Sequence, residues 1–231
     1  MNTCDFITKY RPVKLDKTLF TSDVKSKVDN ILKDDNISAI VITGGVGSGK
    51  TTLARICAVS KGMEISRGIG DCVIGGYDGV HLNSEDMQIA TADVLILDDF
   101  ESIPAWRQRE IVEEIRKQGI CRFAVFVTCT ESALADEVKQ FCQETVSTEV
   151  DCRSVYMSIV DICNKEGIAY DIKEGIPHST GLKTLETFVL EHRSSNIRTV
   201  LTCLEFCKSK GMSLEDGVKE FFKGEFNYVE Q

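Results

Sequence analysis

The sequence predicts an α/β protein: a parallel sheet domain over residues 1–150, a small all-helical domain over residues 151–215 and a C-terminal tail over residues 216–231. Three observations carry that prediction. Gly44-Gly45-Val46-Gly47-Ser48-Gly49-Lys50-Thr51 fits G-x-x-x-x-G-K-[ST] without a substitution, between an apolar β-branched run at 38–43 and a helical pattern beginning at Thr52. Residues 92–99 form an apolar run ending in two acids, Asp98 and Asp99. That is the pattern of a buried parallel strand with carboxylates at its C-terminal edge, where α/β sheets bind ligands. Past residue 150, strand-like runs stop and helical periodicity takes over.

Taken in order, the chain opens with Ile7-Thr8-Lys9-Tyr10-Arg11-Pro12, read as extended because Pro12 disfavours helix at Arg11. Ser22 is positioned to cap a helix with Val24, Val28, Ile31 and Leu32 on one face, ended by Asp34-Asp35-Asn36. After the glycine motif and its helix, residues 62–80 are glycine-rich and read as a loop or short hairpin. A short helix starting at Asn83 or Ser84 runs through Met87 and Ile89. The acid-terminated strand follows. A helix over 105–117 then buries Ile111, Val112 and Ile115, shows Arg107, Arg109, Arg116 and Lys117 on its other face, and ends at Gly119. Residues 121–130 are another buried strand with Thr130 at its polar end. Three helical stripes complete the pattern: Val155, Ile159, Ile162, Cys163; Leu182, Leu185, Phe188, Val189; and Ile197, Val200, Leu201, Leu204, Cys207. Ser195 or Asn196 caps the third, and Gly211 follows it.

Bulk properties narrow the function classes. With 231 residues, 42% hydrophobic and 27% charged, the chain is globular in composition. No apolar run approaches the ~20 residues that span a bilayer, so no membrane role is expected. The N-terminus lacks the basic start and apolar core of a signal peptide, and a reducing compartment is the default. The ten cysteines form no C-x-x-C pair. Several, among them Cys57, Cys121, Cys129, Cys203 and Cys207, sit in apolar runs and read as buried thiols acting as small hydrophobes. A net charge of −9 argues against a wholly nucleic-acid-binding surface but permits a local basic strip.

The glycine motif has the mechanics of a phosphate cradle: backbone amides at a helix start point at an anion. Lys50 is then the residue that reaches β- and γ-phosphates, and the Thr51 hydroxyl holds Mg²⁺. Asp98 is placed to hold Mg²⁺ through water, and Asp99 to orient or deprotonate an attacking water.

Together, Lys9-Tyr10-Arg11-Pro12, the glycine motif, Leu97-Asp98-Asp99, Val127-Thr128-Cys129-Thr130 and Asn196-Ile197-Arg198 resemble a sliding-clamp loader ATPase subunit. That is an AAA+ protein of the replication factor C small-subunit kind. Residues 161–169 particularly resemble the large clamp-loader subunit of T4-type phages. The similarity covers roughly residues 6–212. It implies ATP and Mg²⁺ as cofactors, with Gly45, Val46, Gly47, Ser48, Gly49, Lys50, Thr51 and Thr52 around the phosphates. Tyr10, Arg11 and Pro12 would flank the adenine, in the crease between sheet domain and lid. Thr130 would take the polar sensor position, usually asparagine in the family, and Arg198 would be the lid arginine approaching the γ-phosphate. Arg107 and Arg109 would meet the DNA backbone. The implied partners are other AAA+ subunits and a sliding clamp or a helicase, and the implied location is the cytoplasm of a bacterium or an infected host cell.

Three departures accompany the resemblance. The acid pair is Asp98-Asp99 where the family has Asp-Glu, and Asp99 is one methylene shorter. The segment that supplies an arginine finger to a neighbour reads Gln140-Phe141-Cys142 here, with Arg153 too far along to assign to that role. The family's C-terminal collar has no counterpart after the lid. A helicase loader or initiator-type AAA+ protein, and a nucleotide-dependent scaffold with negligible hydrolysis, are the alternatives.

Overall fold

The computed structural model describes residues 5–61, 73–75, 94–118, 122–173, 176–177, 179–191 and 196–223. It divides the chain into two compact units. One takes residues 12–45 and 49–149; the other takes residues 1–11, 46–48 and 150–231.

A single helical turn, α1 (Phe6–Lys9), opens the chain and belongs to the second unit. An extended opening was expected. Asp5 instead accepts the Thr8 N–H at 2.7 Å and closes a turn before the restriction imposed by Pro12 applies.

The sheet unit begins with α2 (Ser22–Lys33), capped by Thr21 rather than Ser22: the Thr21 hydroxyl accepts the Val24 N–H. Then come β1 (Ala39–Thr43), α3 (Lys50–Ser60), β2 (Val73–Gly75), β3 (Val94–Asp98), α4 (Ala105–Gln118), β4 (Phe123–Thr128), α5 (Asp136–Phe141) and β5 (Glu144–Ser147). The five strands form one parallel sheet in the order β2-β3-β4-β1-β5. In register, Ala39 lies opposite Ala124 and Thr43 opposite Thr128, while Leu97 lies opposite Phe126. Thr43, Asp98 and Thr128 therefore share one edge.

Both faces of the sheet are covered, which is why the central strands read as continuous apolar runs. Ala39, Val41, Leu95, Leu97, Ala124 and Phe126 pack with Ile111, Val112 and Ile115 of α4. The alternate residues Ile40 and Ile42 point to the other face, where α3 contributes Leu53, Ile56 and Cys57. Ile111 is wholly buried, so truncating it to alanine removes roughly 2–5 kcal/mol.

Two sequence expectations change here. Val73–Gly75, expected in a loop or short hairpin, is a strand that pairs parallel with β3. Three residues ending in glycine are too short for periodicity to reveal, and the pairing depends on β3. Asp99 leaves the strand in left-handed backbone, φ 50°. The rest of the glycine-rich stretch, the helix expected near Met87 and the helix end at Gly119 lie outside the described residues.

The helical unit contains α6 (Cys152–Glu166), β6 (Ile172–Lys173), β7 (Ile176–Pro177), α7 (Thr180–Glu191), α8 (Ile197–Lys210) and α9 (Leu214–Phe221). The expected stripes are core: Val155, Ile159, Ile162, Cys163, Leu182, Leu185, Val189, Val200, Leu204 and Cys207 are buried. The unit is not wholly helical, because β6 and β7 form a two-residue antiparallel pair. Asn196 caps α8 by accepting the Thr199 N–H at 3.0 Å, and Ser195 lies outside the described residues.

Of the expected C-terminal tail, residues 224–231 lie outside the described residues, and residues 216–221 belong instead to helix α9. Ser213 caps it, and Leu214, Gly217 and Val218 are buried. Gly217 hides this helix from a propensity reading, yet packing requires it: an added Cβ there would overlap the Cys207 sulfur. Among the described residues, no helix is long and apolar enough to cross a membrane.

Gly217→Ala should therefore destabilise the chain by about 1–3 kcal/mol in urea unfolding, despite alanine's better helix propensity. Pairing it with Cys207→Ala should recover part of that loss.

Candidate functional site

The sheet edge at the ends of β1, β3 and β4 gathers most of the predicted polar residues. Gly47 (φ 74°) and Gly49 (φ 95°) both adopt left-handed backbone, and Gly49 is the N-cap of α3. An L side chain is strained at either position, and one at Gly49 would also crowd the Phe20 ring. The glycine spacing is thus a requirement of the loop itself.

Lys50 starts α3 and is buried, with 7% exposure. Its ammonium donates to the carbonyls of Gly44 and Gly45, both at 2.9 Å, and meets Cys129 Sγ at 3.1 Å. Next to it, the Thr51 hydroxyl donates to Asp98 Oδ2 at 2.7 Å. Asp98 Oδ1 accepts the Asp99 N–H at 3.1 Å, which orients the carboxylate toward Thr51. A hydroxyl and a carboxylate converging in this way are hard oxygen donors, a set that fits Mg²⁺. Among the other loop residues, Ser48 is buried, Gly45 and Thr52 are half-buried and Val46 is exposed.

Thr130 is exposed, and its N–H donates to the Thr128 hydroxyl at 3.1 Å. The side chain from this turn that reaches Lys50 is that of Cys129, one residue earlier. Cys129 is half-buried rather than a core thiol, whereas Cys57, Cys163, Cys203 and Cys207 are buried. Cys121 lies outside the described residues. The Cys129 N–H donates to Glu101 Oε1 at 2.8 Å. Burial raises the Glu101 carboxyl, but the Cys129 N–H and neighbouring donors outweigh it and hold it below its usual range.

Behind these turns sits Gln108, 1% exposed. Its amide donates to the carbonyls of Ile103 (2.8 Å) and Ala133 (3.2 Å), and its Oε1 accepts the Ala135 N–H (2.8 Å). One buried amide thereby fixes the loops after β3 and β4 to each other.

The basic face of α4 is engaged. Arg107 pairs with Glu110 at 2.9 Å and its side chain is only 11% exposed, while Arg109 pairs with Glu137 at 3.1 Å. At the expected finger position, Phe141 packs edge-on to Phe126, and the Arg116 guanidinium lies 5.1 Å from its ring centre.

In the helical unit, the opening segment is tied down by one carboxylate. Glu166, at the end of α6, accepts the Tyr10 hydroxyl and the Lys9 ammonium, and the Lys208 ammonium donates to its carbonyl. Lys9 and Tyr10 hold the Glu166 carboxyl below its usual range; burial and Glu166 push the Tyr10 hydroxyl up. Arg11 is exposed and Pro12 half-buried. Arg198 is exposed on the first turn of α8. The loop tip 46–48 groups with this unit, where the Ile197 N–H donates to Gly47 O at 3.1 Å.

Comparison with known proteins fits this arrangement. Residues 15–149 match the family model of the sigma-54 interaction domain. The chain belongs to that AAA+ family. It is also 24% identical over 179 residues to a replication factor C small subunit of Acanthamoeba polyphaga mimivirus, covering 74% of this chain and 56% of the relative. A replication factor C large subunit of Halorubrum lacusprofundi is 24% identical over 191 residues, covering 72% and 38%. The chain thus spans about half, and about two-fifths, of the length of these relatives. Among solved structures it resembles the Thermotoga maritima RuvB Holliday junction branch migration motor (TM-score 0.69, 17% identity, 93% of this chain and 72% of that one). It also resembles AMPPCP-bound DnaA from Aquifex aeolicus (TM-score 0.60, 95% and 70%). At these identities the structures establish a shared fold.

Sequence reasoning about this AAA+ chain missed Glu101, Gln108, Cys129 and Glu166 as organising residues. Glu101 and Gln108 read as ordinary polar residues, and Cys129 read as core. A glutamate on the last turn of a helix carries no signal of its own, since its partners Lys9 and Tyr10 lie more than 150 positions away.

The depressed Glu166 carboxyl has a definite pH consequence. Its stabilising contribution is full above the unfolded carboxylate value of about 4.3 and is lost as pH falls through the lower folded value. The stability gap between the unsubstituted chain and Glu166→Gln, measured by urea unfolding, should be widest above about pH 5 and shrink toward pH 3.

Proposed function

We propose that this AAA+ chain binds Mg-ATP at the loop between β1 and α3 and hydrolyses it as a clamp-loader-like subunit in DNA replication. The observation that carries the nucleotide reading is the convergence of Lys50, Thr51 and Asp98 on one sheet edge. The loop amides and Lys50 bind the phosphates. Lys50 leaves the Gly44 and Gly45 carbonyls for the β/γ-phosphates, and Thr51 and Asp98 hold Mg²⁺. Bound there, Mg²⁺ supplies neutralisation of the phosphate charge. Asp99 orients the attacking water. By resemblance, Tyr10, Arg11 and Pro12 flank the base, Thr130 takes the sensor position and Arg198 the γ-phosphate.

The replication role rests on the similarity to replication factor C subunits. Other AAA+ subunits and a sliding clamp are the proposed partners, with ATP turnover driving a partner- or DNA-dependent change of conformation. Arg109, half-exposed beside Glu137, is the better placed of the two arginines for a DNA phosphate, since Arg107 is tucked into its own helix. With Gln140-Phe141-Cys142 where a finger arginine would stand, the purified chain should turn ATP over slowly. A finger in trans is worth about 10³–10⁵ in rate in GTPases.

Calorimetry with Mg-ATP tests the core of this reading. The unsubstituted chain should give a binding heat, and Lys50→Ala should abolish it. Asp98→Asn should leave affinity dependent on nucleotide but no longer on Mg²⁺. Absence of any binding heat in the unsubstituted chain would sink the assignment. For the replication role, a pull-down should recover a ring-shaped clamp; recovery of a hexameric helicase would move the chain to the loader or initiator reading. Robust turnover without any partner would contradict the missing-finger argument.

A further inference from the structure

The nucleotide reading leaves one feature of the sheet unit unused. Glu101 sits in the turn Phe100–Ser102 with Oε1 on the Cys129 N–H, and the Cys129 and Thr128 side chains also lie against its carboxylate. The turn that carries it also follows a strained residue, Asp99 at φ 50°. Gln108 braces the same turn through the Ile103 carbonyl. The turn and its brace thus serve one outcome, a carboxylate laid against the first residue after β4.

That residue is Cys129, whose sulfur meets the Lys50 ammonium at 3.1 Å. The position of the thiol follows the course of the backbone at the Cys129 nitrogen, and this nitrogen is what Glu101 grips. A chain of contacts therefore runs from Glu101 through Cys129 to Lys50, separate from the Thr51–Asp98 pair. It ends on the same ammonium that Gly44 O and Gly45 O hold.

We propose that Glu101 is a positioning residue for Lys50: by anchoring the Cys129 N–H it keeps the thiol against the ammonium and holds Lys50 at the Gly44 and Gly45 carbonyls. Glu101 does not touch Lys50 and acts through Cys129. Phosphate must take the ammonium out of this hold, so the hold opposes nucleotide binding and sets how readily Lys50 is released. This deepens the ATP-binding reading and rests on it for one arm of its test.

The first arm uses no nucleotide. Alkylation of Cys129 by iodoacetamide is followed by peptide mass spectrometry, with Cys152 in the helical unit as internal control. An ammonium beside a thiol favours the thiolate, the form that reacts, so Lys50→Met should slow alkylation roughly three- to tenfold, and Glu101→Ala, by releasing the thiol from that ammonium, should slow it likewise. The double variant should go no further than the slower single. Glu101→Gln keeps an oxygen for the Cys129 N–H and should stay within about twofold of the unsubstituted rate. An unchanged rate in Glu101→Ala, or effects that simply multiply in the double variant, would overturn the proposal.

The second arm is Mg-ATP affinity. Cys129→Ala and Glu101→Ala should each tighten binding by roughly three- to tenfold. Weakened binding together with a lowered Tm would mark an ordinary structural role for Glu101 and overturn the proposal. If the unsubstituted chain binds no Mg-ATP, the nucleotide reading fails, and the alkylation arm alone decides this one.

Discussion

The hydrogen bond from Thr51 to Asp98 spans 47 residues of chain, and the site is organised around it. It forms because β1 and β3 both run parallel to β4 and flank it, so their C-terminal ends emerge on the same edge. An antiparallel β3 would send Asp98 to the opposite edge. The glycine loop alone provides amides and an ammonium; the parallel sheet adds the carboxylate. The two-sided burial of β1, β3 and β4 makes this arrangement rigid, since a one-residue slip would carry apolar side chains out of their layers.

The loops beyond the strand ends are held by buried polar groups with specific partners. Gln108 spends its amide on carbonyls and an N–H from two different turns, and Glu101 grips the backbone just past β4. Neither could be replaced by an apolar residue without leaving buried main-chain groups unpaired, which is the expensive side of hydrogen bonding. The helical unit uses the same device: Glu166 gathers Lys9 and Tyr10 with its carboxylate, while Lys208 satisfies its carbonyl near the helix C-terminus. This is why residues 5–11 group with α6 and α8 although they lie at the other end of the chain. Removing one partner would leave the 9%-exposed carboxylate short of counter-charge.

The elements that could be read from the chain were those whose pattern is local. β1, β3 and β4 declare themselves as apolar runs, and Val155, Ile159 and Ile162 repeat at the helical period. The glycine spacing is legible because the loop takes left-handed backbone at Gly47 and Gly49, where glycine is favoured. Elements whose stability comes from elsewhere were misread. Val73–Gly75 is a strand only because β3 lies beside it, and α9 tolerates Gly217 only because Cys207 needs the space.

For the site, residue identity and order were enough to propose Lys50, Thr51 and Asp98, and the structure brings Thr51 and Asp98 into contact beside Lys50. Which side chain from the end of β4 meets Lys50 was a matter of fractions of a turn. Thr130 has the more polar group, yet the backbone past Thr128 presents the Cys129 sulfur instead. That choice depends on where a carboxylate nearly thirty residues earlier, Glu101, grips an N–H. Contacts of that range are created by packing and leave no periodicity in the chain, so folding alone settles them.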